Sequence, residues 1–132
     1  MADWKKWYDH LKKPSWTPKP DTISTVWMIL YPVIFISFGI VFYQAFTGEI
    51  SWMLTVPFFL NLLFNILFTP LFFVFEDVWL ATIDIYLVLL TIIWAMITIL
   101  PYNPPVAFSQ LPYLVWICIA ATLQTYIWKE NR

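Results

Sequence analysis

Two glycines, one cysteine and one histidine in 132 residues leave little from which to build catalytic chemistry. Gly39 and Gly48 stand far apart, so no glycine-rich loop is present to cradle a phosphate. Cys118 lies in an apolar run, where a free thiol packs as a small hydrophobe. A single cysteine excludes an intramolecular disulfide and leaves a thiolate metal site unsupported. His10 sits in a polar segment suited to a solvated role, and no nucleophile–base–acid set can be assembled around it. Neither catalytic nor metal-ligating residues are expected. Charge is also scarce: Asp, Glu, Lys and Arg make up 11% of the chain, against roughly 25% in soluble domains. The formal net charge of −1 argues against nucleic acid as a partner.

Apolar and aromatic residues take the place of charge. The chain is 61% hydrophobic, with nine Trp, seven Tyr and twelve Phe. Its mean hydropathy is +0.74. That balance belongs to an integral membrane protein. Aromatic rings settle at membrane interfaces and also stack on flat apolar ligands, so composition leaves both uses open.

Residues 1–21 are polar, carry five lysines and lack the apolar core of a cleavable signal. Four hydrophobic segments follow, at about Thr22–Phe46, Ser51–Val74, Val78–Leu100 and Val106–Trp128. Each is long enough to cross about 30 Å of hydrocarbon at 1.5 Å per residue. The separators, 47–50, 75–77 and 101–105, carry turn or charge chemistry. Connections so short make neighbouring helices antiparallel. The expected fold is therefore all-α, a single membrane domain over 1–132 with four transmembrane helices. All seven basic residues fall before the first span or after the last, which places both termini in the cytoplasm by the positive-inside rule.

Trp7 to Pro18 is aromatic, polar and stiffened by Pro14 and Pro18. Proline fixes φ and removes a donor, which predicts a shaped loop, not a helix end, lying over a membrane-embedded pocket. Pro32, Pro57 and Pro70 fall within spans, as kinks that open space between helices or as ordinary irregularities.

Polar residues within the spans form a sparse set. Asn61 and Asn65 are four apart and share a face that continues through Phe68, Thr69 and Phe72. Asp84 lies about two turns into the third span with Thr91 on its side, and Gln124 and Thr125 lie near the end of the fourth. A buried acid at such depth marks either a functional site or an interhelical bond to Asn or Thr. Trp27 and Tyr31 face one way on the first span. Trp116 and Ala120 do so on the last, the small residue making room beside the large ring. Together these describe an apolar aromatic cavity with a few polar anchors, suited to a small hydrophobic ligand.

At these residues the chain resembles the translocator protein / tryptophan-rich sensory protein family, also called the peripheral-type benzodiazepine receptor family. The motifs are WYDHLKKPSWTP at 7–18, VWMILY at 26–31, NLLFNILFTPLFF at 61–73, ATIDIYLVLL at 81–90 and LPYLVWICIAATL at 111–123. The resemblance implies an α-helical membrane bundle, often a homodimer, that binds protoporphyrin IX or haem as ligand, with sterols and synthetic aromatics in some members. By position it makes Tyr8 and Pro18 part of a lid. Trp27, Tyr31, Asn65, Phe68, Thr69, Asp84, Ile85, Trp116 and Ala120 would be pocket wall. It implies no obligatory cofactor. In some bacterial relatives it extends to light-dependent porphyrin breakdown involving the tryptophans equivalent to Trp27 and Trp116. A proton-coupled exporter using Asp84, or a purely structural subunit, are the other readings. Leu123, Tyr126 and Lys129 fit a loose sterol motif, although Tyr and Lys at a helix end also serve as interface anchors.

Family members have five spans, with one apolar helix ahead of the loop motif; this chain opens at the loop and carries four. It also has Lys19 where proline is usual, Phe68 where tryptophan is common and Gln124 where asparagine is common. The resemblance places a prokaryotic member in the plasma membrane and a eukaryotic one in the outer mitochondrial membrane.

Overall fold

The prolines that stiffen the first segment begin only at Pro14, and nothing before them breaks a helix. In the computed structural model, which describes the backbone of residues 2–131 and the side chains of residues 6–131, Ala2–His10 form a helix, α1. The expectation of a loop from Trp7 is thus corrected. Trp7, Tyr8 and Leu11 recur at helical spacing and bury one face against Phe72, with Trp7 edge-on to that ring at 5.0 Å. The loop proper runs from 11 to 19, turned by bonds from the Thr17 N–H at 3.1 Å and hydroxyl at 2.6 Å to the Pro14 carbonyl.

Helix α2, Pro20–Phe46, starts with proline where its missing N–H costs nothing, and Asp21 follows in the first turn. It stops at Thr47 and Gly48, the latter at φ +84°, a conformation glycine adopts without strain. The second span begins as a 3₁₀ turn, Trp52–Thr55, capped by the Ser51 side chain, and continues as α3, Val56–Thr69. Pro70 cannot donate to the turn before it. The last five residues, Pro70–Val74, widen into a π turn closed by Phe75 N–H to the Pro70 carbonyl at 3.0 Å.

Asp77 caps α4, Val78–Ile99, by accepting from Leu80 N–H at 3.0 Å. Asn103 caps the short α5, Pro104–Ser109. The chain then breaks at Gln110, just before Pro112, and runs on as α6, Leu111–Asn131. The last span is therefore two helical pieces. Four helical stretches are long and apolar enough to cross a membrane.

Helix α4 sits at the centre, flanked by α3 and α6. Its Val88, Ile92, Ala95 and Ile99 are all buried, and Ala95 allows close approach of neighbours. They meet Ile34, Phe38 and Val41 of α2, Phe58 of α3, and Tyr113, Ile117 and Ala121 of α6. The outer surface is apolar, with Met28, Phe46 and Met53 at 74%, 79% and 78% exposure, as hydrocarbon solvent requires. Among the described residues the charged side chains Asp9, Lys12, Lys19, Glu49, Lys129 and Glu130 lie exposed at the ends of the bundle. Of the seven basic residues used to orient the chain, the Lys5 side chain and Arg132 lie outside the described residues.

Candidate functional site

The two asparagines of α3 organise the middle of the bundle. Asn61 is fully buried; its Nδ2 donates to the Val88 carbonyl at 2.9 Å and to Thr91 Oγ1 at 3.1 Å, both on α4. Tyr113 of α6 donates its hydroxyl to Asn61 Oδ1 at 2.8 Å and accepts from Asn65 Nδ2 at 2.8 Å. Asn65 Oδ1 in turn accepts from the Tyr31 hydroxyl of α2 at 3.1 Å. One chain of hydrogen bonds thus links α2, α3, α4 and α6 without a formal charge. In hydrocarbon every one of these groups would be costly if left alone.

Above this chain, toward the 11–19 loop, the helices separate around a cavity of about 980 Å³. Tyr31, Asn65 and Val88 lie at its floor, and Tyr8 and Pro18 close it on the loop side. Its walls carry Trp27 from α2, Phe68, Thr69 and Phe72 from the second span, Ile85 from α4, and Trp116 and Ala120 from α6. Trp27 stacks on Tyr31 at 5.0 Å and meets Trp116 edge-on at 6.5 Å. Phe68 and Phe72 form a second aromatic wall, their rings 5.5 Å apart. Among the described residues Glu76 is the one charged residue in the lining, which contains no Lys, Arg or His.

The lid is tied down by Lys13. Its Nζ donates to the carbonyls of Tyr8 at 2.7 Å and Leu11 at 3.1 Å, and lies 4.5 Å from the Tyr8 ring centre. Burial, and next the neighbouring Asp9 carboxylate, push the Tyr8 phenol above its ordinary pKa of 10.0.

Asp84 is placed elsewhere. It is buried, but it does not line the cavity; Ile85 and Val88 do. Adjacent helical residues point about 100° apart, and on α4 that rotation leaves Ile85 at the cavity and turns Asp84 away from it. Nor does Asp84 join the asparagine network; its Oδ2 has no partner among the described residues. The interhelical bonds expected of it are made instead by Asn61. The sterol motif is likewise divided. Leu123 lines the cavity, whereas Tyr126 and Lys129 are exposed and do not. Steps of three residues rotate about 60° around a helix, which turns the later two away.

Several residues of the lining are not assigned to the pocket wall from sequence. Gln124, read there as a polar residue near the end of the last span, lies two turns beyond Trp116 on the same face of α6 and is 3% exposed. Ile127 and Phe73 also reach the cavity. The period of four from Trp116 through Ala120 was the available signal for Gln124.

The sequence profile of the TspO/MBR family matches residues 1–129. The chain belongs to this family. Among TspO/MBR proteins it is 33% identical over 128 residues to the tryptophan-rich protein TspO of Bacillus cereus, covering 96% of this chain and 82% of the relative. Identity to the membrane protein YtaB of Bacillus subtilis is 32% over 128 residues, covering 96% of this chain and 81% of the relative. The translocator protein of Sus scrofa is 30% identical over 129 residues, covering 96% of this chain and 75% of the relative. Apolar spans and family together make it an integral membrane protein.

Proposed function

We propose that this protein binds a tetrapyrrole such as protoporphyrin IX or haem, or another flat hydrophobic molecule such as a sterol, for transport, sequestration or sensing. One observation carries the reading: a single 980 Å³ space has Trp27 and Trp116 on one side and Phe68 and Phe72 on another. Aromatic faces at that separation suit a planar apolar guest, and the volume lies at the upper end of small-molecule sites. The name translocator protein on the Sus scrofa relative agrees with handling a cargo. With both termini cytoplasmic, as the basic residues favour, the lid side faces the cytoplasm.

The test is a dark titration of the purified chain in detergent with protoporphyrin IX, following tryptophan quenching and the Soret band. Saturable binding is expected, weakened at least about tenfold in the Trp27→Leu/Trp116→Leu double variant, because each ring supplies stacking of order 1 kcal/mol. No saturable binding by a protein with intact helical circular dichroism would sink the reading.

The edge-on Trp27–Trp116 pair supports a second reading, light- and oxygen-dependent porphyrin breakdown. The pigment would supply the photochemistry, and the indoles would orient it and exchange electrons with it. Product formed faster than by porphyrin in empty micelles would separate breakdown from binding alone. Proton-coupled export through this cavity gains no support from Asp84, which lies behind its wall.

A further inference from the structure

The buried side-chain nitrogens without a hydrogen-bond partner among the described residues are Trp116 Nε1 and Gln124 Nε2. Both residues line the cavity, on one face of α6, with Ala120 between them. An amide N–H removed from water and left unpaired costs on the order of 1–3 kcal/mol, which no packing advantage at a cavity wall repays. Two other polar side chains of the bundle are already engaged. Asn65 donates to Tyr113 and accepts from Tyr31, and Thr125 donates to the Ala121 carbonyl at 2.7 Å and pairs with Tyr86. Asp84 offers an acceptor on the facing helix, yet its Oδ2 is unpaired too, so the two do not satisfy each other.

The surrounding charge then decides what kind of acceptor fits. Among the described residues the lining holds the Glu76 carboxylate and no cation, so an ionised group of the guest would be buried against Gln124 with no counter-charge from them. A neutral carbonyl has no such cost, and it accepts the hydrogen bond that Gln124 lacks. We propose that Gln124 is a specificity-determining residue whose Nε2–H donates to a neutral carbonyl oxygen (ester, ketone or amide) of the bound ligand. Trp116 Nε1–H, roughly 12 Å away along the helix, is placed to receive a second acceptor. The inference rests on the ligand-binding reading above and narrows its chemistry.

Two uncharged tetrapyrroles test it: etioporphyrin, with alkyl groups only, and mesoporphyrin IX dimethyl ester, with comparable alkyl groups and two ester carbonyls. Wild-type protein should bind the ester roughly tenfold more tightly, the worth of one desolvated hydrogen bond. Bound ester should show a carbonyl stretch shifted to lower frequency. Gln124→Leu should lose both the preference and the shift; Gln124→Met repeats the test if that variant fails to fold. Equal wild-type affinities with an unshifted carbonyl band would overturn the proposal, leaving the amide to water, while the cavity reading stood. Failure of the folded wild type to bind either porphyrin would overturn the cavity reading, and this proposal with it. The wild-type comparison can overturn the proposal even if neither variant folds.

Discussion

The carboxamide of Asn131 pairs with both backbone groups of Lys12, accepting from its N–H at 3.0 Å and donating to its carbonyl at 3.0 Å. The same Nδ2 also donates to the Ile127 carbonyl within α6 at 2.8 Å. The last turn of the last helix therefore holds the start of the loop that covers the cavity. One side chain satisfies two backbone groups at once, which no hydrophobic contact at this position could do.

Replacing that clasp should loosen the lid without unfolding the spans. Asn131→Ala is expected to raise amide hydrogen exchange at residues 11–13 by about tenfold, the equivalent of one hydrogen bond. Exchange in α4 should not change. Mass-resolved exchange in detergent measures both, and an unaltered loop would show that Lys13 alone holds it.

Tyr113 connects the two asparagines, so its hydroxyl matters more than its ring. Tyr113→Phe should lower stability by about 1–3 kcal/mol, because Asn61 and Asn65 each lose a buried partner. The control is Tyr86→Phe, which removes an exposed bond to Thr125 and should cost about 0.5 kcal/mol. Denaturant unfolding in micelles ranks the two; equal losses would mean that the network carries no special weight.

Filling the cavity should separate binding from folding. Ala120 borders open space, so Ala120→Trp has room for its ring where the guest would lie. Porphyrin affinity should fall at least about tenfold, with a melting temperature within a few degrees of wild type. Retained affinity would place the guest elsewhere.

The phenol of Tyr8 carries a pH signature. Its pKa is raised in the folded protein by burial and by Asp9, so the folded state keeps its proton longer than the unfolded state. Below pH 10.0 both states hold the proton and the contribution is flat. As pH climbs past 10.0 toward the raised value, only the unfolded form ionises, and lid stability falls. The signal is the difference between wild type and Tyr8→Phe. Identical loop exchange in the two proteins from pH 9 to about 11 would contradict it.

Much of this architecture could be read from the residues. Span positions follow from apolar runs longer than any soluble core helix, and the i, i+4 pairs Trp27/Tyr31 and Trp116/Ala120 do lie at one cavity. Helix α1 escaped because Pro14 and Pro18 drew the loop back too far, although Trp7, Tyr8 and Leu11 already had helical spacing. Asp84 drew attention as the one acid at depth, yet a rotation of about 100° separates it from the cavity-facing Ile85. The converse holds for Asn61 and Gln124. Each is a plain amide in sequence, and only tertiary packing makes one fully paired and the other unpaired.

Helix α2 is fastened more firmly at one end than at the other. Its C-terminal half is held by Gln110 to Ser37 at 2.7 Å, Asn103 to Gln44 at 3.0 Å and the Phe38–Phe58 contact at 4.8 Å. From Pro20 to Ile29 no residue is buried. The wall bearing Trp27 is thus held chiefly by that ring's own contacts with Tyr113 and Trp116. The ring that would meet a guest is therefore also the rivet that closes its own wall, and parting Trp27 from Trp116 unfastens that end of the helix.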